Sequence, residues 1–221
     1  MRELWEELNQ VLRGRGGWVD TLLPPALFAG LQALLGVAAA AWSALGAAAL
    51  LLLWRLWRGA DLRYALGGVG GVALAALLAQ LLGRAEGFFL PTIVTGAATT
   101  ALAVGSVLAK RPFVAWTSWL ARRWPLDWYW HPRVRPAYSE VTWLWAAFFG
   151  LRLLLQINLF QNAQVTLLAI ANLLGGWPAI VALLVVTYLY GTWRLRRLGG
   201  PSVAEFKAGQ PPPWTGQRRG F

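Results

Sequence analysis

Cysteine is absent from the 221 residues, which excludes disulfide frameworks, thiolate metal sites and thiol catalysis. Charge is scarce: only 13% of residues are Asp, Glu, Lys or Arg, where a soluble domain carries roughly a quarter. There is one histidine, His131, with no His, Cys or acid at ligand spacing, so no metal site is expected. Lysine is rare too, with Lys110 and Lys207 the two exceptions in an otherwise arginine-based set of 20 basic residues, a bias that a GC-rich genome produces. The chain lacks a phosphate loop, a nucleophile elbow and a His-Glu-x-x-His pair, so no enzyme and no cofactor are expected. Gly68 to Ala73 match a dinucleotide fingerprint in letters alone, because they lie inside an apolar run with no strand before them.

What fills the chain is apolar sequence: 57% hydrophobic residues and a mean hydropathy of +0.49. Residues 21 to 54 carry no charge, and 34 residues in one helix would reach about 51 Å, far beyond a ~30 Å hydrocarbon core. Two short spans fit better, the first starting at Pro24 and Pro25 and the second ending near Trp57, with a turn near Ala40 to Ser43. Residues 64 to 83 and 87 to 109 supply two more, separated by Arg84-Ala85-Glu86. Small residues recur every fourth position in each (Gly67, Gly71, Ala75, Ala79, Gly83; Ala97, Ala101, Gly105, Ala109), which predicts that these two helices pair. A fifth span runs from about Val141 to Asn158. Beyond Gln161-Asn162, either one helix kinked at Gly175-Gly176-Trp177-Pro178 or a short outer helix over 164 to 174 precedes the end of the sixth span near Trp193.

The fold class expected is therefore an all-α integral membrane protein, about six transmembrane helices arranged as three in-out-in hairpins, with interfacial amphipathic helices. Of the 20 Lys and Arg residues, 18 fall in segments on the N-terminal side of such a bundle, Arg84 lies opposite, and Arg152 lies within a span. That asymmetry places both termini in the cytoplasm of a bacterial inner membrane. The segments expected are an amphipathic interfacial stretch over 1–20, with Leu4, Trp5, Leu8, Val11 and Leu12 on one face; a six-span domain over 21–198; and a flexible Pro-rich cytoplasmic tail over 199–221. Glu3, Glu6 and Glu7 make the N-terminus a poor signal peptide, so it is expected to be retained.

The segment Arg84-Ala85-Glu86-Gly87-Phe88-Phe89-Leu90-Pro91, the approach Gly16-Gly17-Trp18-Val19-Asp20 and the exit Lys110-Arg111-Pro112 resemble a family of bacterial polytopic membrane proteins known only as a domain of unknown function. The resemblance covers roughly residues 16 to 195 and implies a membrane protein without implying an activity.

Two groups of residues stand out as candidate sites. Arg152 lies about 18 Å into the fifth span, too deep to snorkel easily, and Glu86 is the acid expected to pair with it. Thr95, Thr99 and Gln156 add polarity nearby, either as hydrogen-bonding glue between helices or as the lining of a polar path. The absence of a mid-depth carboxylate weighs against proton- or sodium-coupled transport. The second group is the 110–140 loop, where Trp116, Trp119, Trp124, Trp128 and Trp130 mingle with Arg122 and Arg123, the composition of a surface that meets headgroups or a protein partner. The expected function is that of a structural or accessory membrane subunit docking lipids, a larger membrane complex or a second copy of itself, with no role in nucleic-acid binding. A small transporter or channel for an anionic or polar solute, using Arg152, is the alternative.

Overall fold

The computed structural model describes residues 18–57, 62–217 and 220–221, with the backbone alone at 18–22, 33, 55 and 62–65. Residues 1–17 of the expected amphipathic segment lie outside this range. The described elements are helical throughout: α1 (Trp18–Trp57), α2 (Leu62–Leu82), a 3-10 helix (Ala85–Phe89), α3 (Leu90–Leu108), α4 (Phe113–Arg122), α5 (Leu126–Trp130), α6 (Arg135–Gln161), α7 (Val165–Leu174), α8 (Trp177–Leu198) and α9 (Val203–Lys207). Among the described residues four stretches are long and apolar enough to cross a membrane: Leu34–Trp54, Ala85–Leu108, Arg135–Gln161 and Val165–Leu198. Leu66–Leu82 is a shorter apolar helix.

The chain folds as two compact units, one of residues up to Thr95 with Arg152–Ala179, the other of Gly96–Leu151 with Ile180–Phe221. The chain passes between the units three times, at 95/96, 151/152 and 179/180.

In the first unit α1 breaks at Gly36, where φ is 78° and ψ 169°, a conformation that glycine adopts without steric cost. The turn expected at Ala40 to Ser43 is thus displaced toward the N-terminus. Ala40, Ala41 and Ala44 stay helical and are buried with Ala75, Ala76 and Ala79 of α2. Two of the five stripe residues on α2, Ala75 and Ala79, therefore work against α1, while Gly67 and Gly71 have open space where a Cβ would stand.

The Arg84-to-Pro91 segment has a local explanation. Gly83 takes φ +60°, and the Arg84 N–H bonds the Ala79 carbonyl, closing α2 in a Schellman turn. The 3-10 helix that follows is buried throughout. A Cβ on Gly87 would stand 3.0 Å from Ala79 Cα and the Leu78 carbonyl, so glycine is required for the backbone to lie against α2. Phe88 stacks on Phe28 at 4.1 Å, with Phe89 edge-on, contacts worth about 0.5–1.5 kcal/mol each beyond simple burial.

At the other end of this unit α7 and α8 are distinct elements. The Gly175 N–H bonds the Ala171 carbonyl, and a Cβ at Gly175 or Gly176 would stand 2.7 Å from the Ala171 or Asn172 oxygen, respectively. Of the two arrangements open from sequence, the short separate helix is the one found.

In the second unit Pro112 and Pro125 precede α4 and α5, positions where the missing N–H costs nothing. Trp128, Tyr129, Val134, Ala137, Tyr138 and Leu195 form its buried core. The tail, expected to be extended and flexible, folds back onto this core. Ser202 and Glu205 form a capping box at α9, and Phe221 stacks on Tyr138 at 4.4 Å with the rings 9° apart. Gly191 makes room for that ring, since a Cβ there would lie 2.5 Å from it.

Candidate functional site

The aromatic loop is built on two short helices whose termini are fixed by proline and by Arg123, which takes φ +54° to end α4. The five tryptophans expected on one surface divide into different roles. Trp128 is wholly buried, and its indole N–H, which burial obliges to find an acceptor, donates to the Pro201 carbonyl at 2.8 Å. It is a core residue, a correction to its assignment as a docking residue. Trp119, Trp124 and Trp130 are half-buried around that core, and Trp116 is 41% exposed.

Arginines lie over the rings that remain accessible. Arg111 is 4.5 Å from the Trp130 ring centre, Arg122 5.0 Å from Trp124 and Arg123 5.1 Å from Trp119. Two further pairs, Arg133 over Trp214 and Arg197 over Trp193, extend the pattern within the same unit. Each such pair contributes about 0.5–1 kcal/mol at an exposed site. Arg122 also donates to the Phe221 carbonyl at 3.2 Å, so it is partly a tail anchor. Arg111, Arg123, Trp116 and Leu120 are the exposed part of this basic and aromatic cap.

Around the cap the titratable groups are held in defined states. Burial, then the nearby Arg133, pushes His131 below its usual value. Its Nδ1 accepts the Arg133 backbone N–H at 3.2 Å, and Trp214 meets its ring edge-on, so the neutral imidazole is the form that fits. Burial raises the Tyr129 phenol, whose oxygen lies 3.2 Å from the Ser118 hydroxyl. Glu205 is held down to about 2, first by the Thr215 backbone N–H and then by that of Ser202.

Arg152 lies in the first unit, where its NH2 group donates to Asn172 Oδ1 at 3.2 Å and Gln156 Nε2 donates to the same oxygen at 2.9 Å. Asn172 in turn donates to the Leu168 carbonyl of its own helix. The Nε of Arg152 is buried without an acceptor among the described residues. The expected Arg152–Glu86 pair does not form. Glu86 has Arg84 as its ionic partner, 3.7 Å away, because the 3-10 helix turns the acid toward the neighbouring turn residue. Thr95 is exposed and donates to the Pro91 and Thr92 carbonyls of its own helix. Thr99 is half-buried one turn further along. Asn172, the acceptor that organises this group, stands out in the sequence only as one polar residue in an apolar run.

A further ion pair was not legible at all. Glu140 on α6 receives Arg194 Nε at 2.7 Å and NH2 at 2.8 Å, while the Tyr190 hydroxyl donates to it at 2.8 Å. Nothing in spacing alone brings residues 54 positions apart together. Among the described residues no group of three or more His, Cys, Asp or Glu converges as a metal site would require.

A family model described as Protein of unknown function (DUF3159) matches residues 12–197, so the chain belongs to that family. No curated protein and no solved structure matches.

Proposed function

We propose that this member of the DUF3159 family is a non-catalytic, accessory membrane protein whose Trp/Arg cap docks anionic lipid headgroups. The observation carrying this is the set of guanidinium groups laid over accessible indole rings at Trp119, Trp124 and Trp130, next to the exposed Trp116. Indole at headgroup depth and arginine beside it are the pairing that an interfacial surface requires, and each basic residue adds roughly 1 kcal/mol of attraction to an anionic leaflet.

The same reading takes the chain across a bacterial inner membrane six times with both termini in the cytoplasm. Supporting it is the break at Gly36, which divides α1 into two helices of about 27 and 32 Å, each near the ~30 Å hydrocarbon thickness. The segregation of 18 of 20 basic residues to one side also supports it. The Arg152–Asn172–Gln156 group acts in this reading as glue between α6 and α7.

The chain has no cysteine, so single cysteines report topology and docking cleanly. Labels at Asn162→Cys and Arg84→Cys should react from outside, and labels at Thr117→Cys and Lys207→Cys only after permeabilisation. Vesicles containing phosphatidylglycerol should bind the purified chain in proportion to anionic content, and the triple variant Arg111→Gln, Trp116→Ser, Arg123→Gln should lose most of that dependence. Undiminished dependence in the triple variant, with correct insertion, would refute the cap as the docking surface.

A further inference from the structure

We infer that the first unit carries a separate binding site for a phosphoethanolamine headgroup, the ammonium on Glu86 and the phosphate on Arg84. The site is a cavity of about 650 Å³ where the 83–86 turn, the 163–167 turn and α1 around the Gly36 break come together. That volume lies within the ~300–1,000 Å³ range of ligand cavities. Its walls carry Gln32, Arg84, Glu86, Gln164 and Thr166, with Val37 and Val165 between them.

The electrostatics select the ligand. The Glu86 side chain is 7% exposed, yet its ionic partner is one Arg84 nitrogen at 3.7 Å, beyond hydrogen-bond length. Its oxygens are not sealed off from the cavity, so closer donors can reach the carboxylate from there. Arg84, by contrast, is 53% exposed and directs its guanidinium partly over the Phe160 ring at 5.8 Å, leaving donors free for an anion. Acid and base thus stand side by side, each incompletely satisfied by the other. A zwitterion with a primary ammonium and a phosphate a few bonds apart satisfies both. The primary amine is specified because it brings three N–H donors, whereas a choline head brings none.

The rim makes the ligand a lipid. Leu167, 48% exposed, lines the mouth, and Leu34, 80% exposed, lies in the chain between the lining residues Gln32 and Val37; both belong to stretches long and apolar enough for a bilayer. Acyl chains lying on them keep the headgroup at the cavity. The inference rests on the membrane reading alone and not on the Trp/Arg cap, which is in the other unit.

The test uses the full chain in detergent, with retained lipid counted by native mass spectrometry. Phosphatidylethanolamine should be retained about tenfold over phosphatidylcholine, the ratio expected of charge-assisted hydrogen bonds. Glu86→Gln should bring that ratio near one, and Arg84→Gln should lower retention of phosphatidylethanolamine and phosphatidylglycerol alike. Stepwise N-methylation of the ethanolamine head, measured on the unaltered protein, should weaken retention at each step, and this arm does not depend on any variant folding. A flat methylation series, or an undiminished preference in a folded Glu86→Gln protein, would overturn the site. Displacement by soluble phosphoethanolamine at the concentration that suffices for the lipid would overturn the lipid assignment, since the leucine rim would then contribute nothing. The cap triple variant should retain phosphatidylethanolamine normally, so loss at one surface is separable from loss at the other.

Discussion

Arg194 holds the Glu140 carboxylate with two nitrogens, at 2.7 and 2.8 Å, and joins α8 to α6 within the second unit. Both side chains are about one-third exposed, so solvent screens the pair and it contributes far less than a fully buried one would. The planar fork is what allows both contacts at once, so Arg194→Lys should cost nearly as much as Arg194→Gln. A double-mutant cycle with Glu140→Gln, read from thermal unfolding in detergent, checks this. Strict additivity of the two changes would mean that the pair contributes nothing.

Gly191 and Phe221 form a steric pair in the same way that Glu140 and Arg194 form an ionic one. Gly191→Ala should expel the Phe221 ring from its stack on Tyr138 and increase proteolysis within 199–217, as Phe221→Ala should. The two changes together should be little worse than either alone, because each removes the same contact. Equal protection of the tail in Gly191→Ala and the unaltered protein would show that the slot is not occupied.

Asn172 should matter more than Arg152 for stability, the reverse of what charge suggests. Arg152→Leu removes a cation that has no ionic partner among the described residues and leaves Asn172 still bonded to Gln156. Asn172→Leu removes the acceptor of both, stranding a guanidinium and an amide in apolar surroundings, at about 1–3 kcal/mol. Unfolding measured in detergent for the two single variants decides the order. A larger loss for Arg152→Leu would mean that a charge partner exists after all.

The contrast between Arg152 and Glu86 also marks how far the sequence could be read. Apolar runs, prolines at helix starts and the Gly175-Gly176 interruption are local signals, and the helices follow them closely. The Gly36 break is not legible because the fifteen uncharged residues before it and the eighteen after it look equally helical, and only the backbone angle distinguishes this glycine from Gly30 or Gly46. Pairing is the least legible feature: as an acid within reach of the deepest base, Glu86 reads as the partner of Arg152. The geometry of a 3-10 turn gave it to Arg84 instead. Trp128 shows the same limit, since an indole in a Trp-rich loop reads identically whether its N–H meets lipid or the Pro201 carbonyl. Composition reports how much aromatic surface exists and not which rings are inside.

Acid should loosen the tail in two stages. Glu205 is lowered from 4.5 to about 2, so its carboxylate binds protons less readily folded than unfolded. The stabilisation it gives is complete above about pH 4.5 and is lost as pH falls toward 2. His131, also lowered by burial and by Arg133, acts with the same sign at higher pH. Its contribution is present above the usual histidine value of 6.5 and declines as pH falls through its lowered value, when protonation of Nδ1 breaks the bond from the Arg133 N–H. A spin label on the exposed Ala208→Cys reports both stages as rising mobility between pH 7 and pH 2. Glu205→Gln should make the tail mobile at neutral pH and abolish the lower stage, because an amide oxygen cannot take the place of a carboxylate that accepts from Ser202 and Thr215 together. His131→Gln should remove the upper stage alone. A label whose mobility is unchanged down to pH 3 in the His131→Gln protein, then rises, would match this assignment; one that rises near pH 6 in both variants would locate the switch elsewhere.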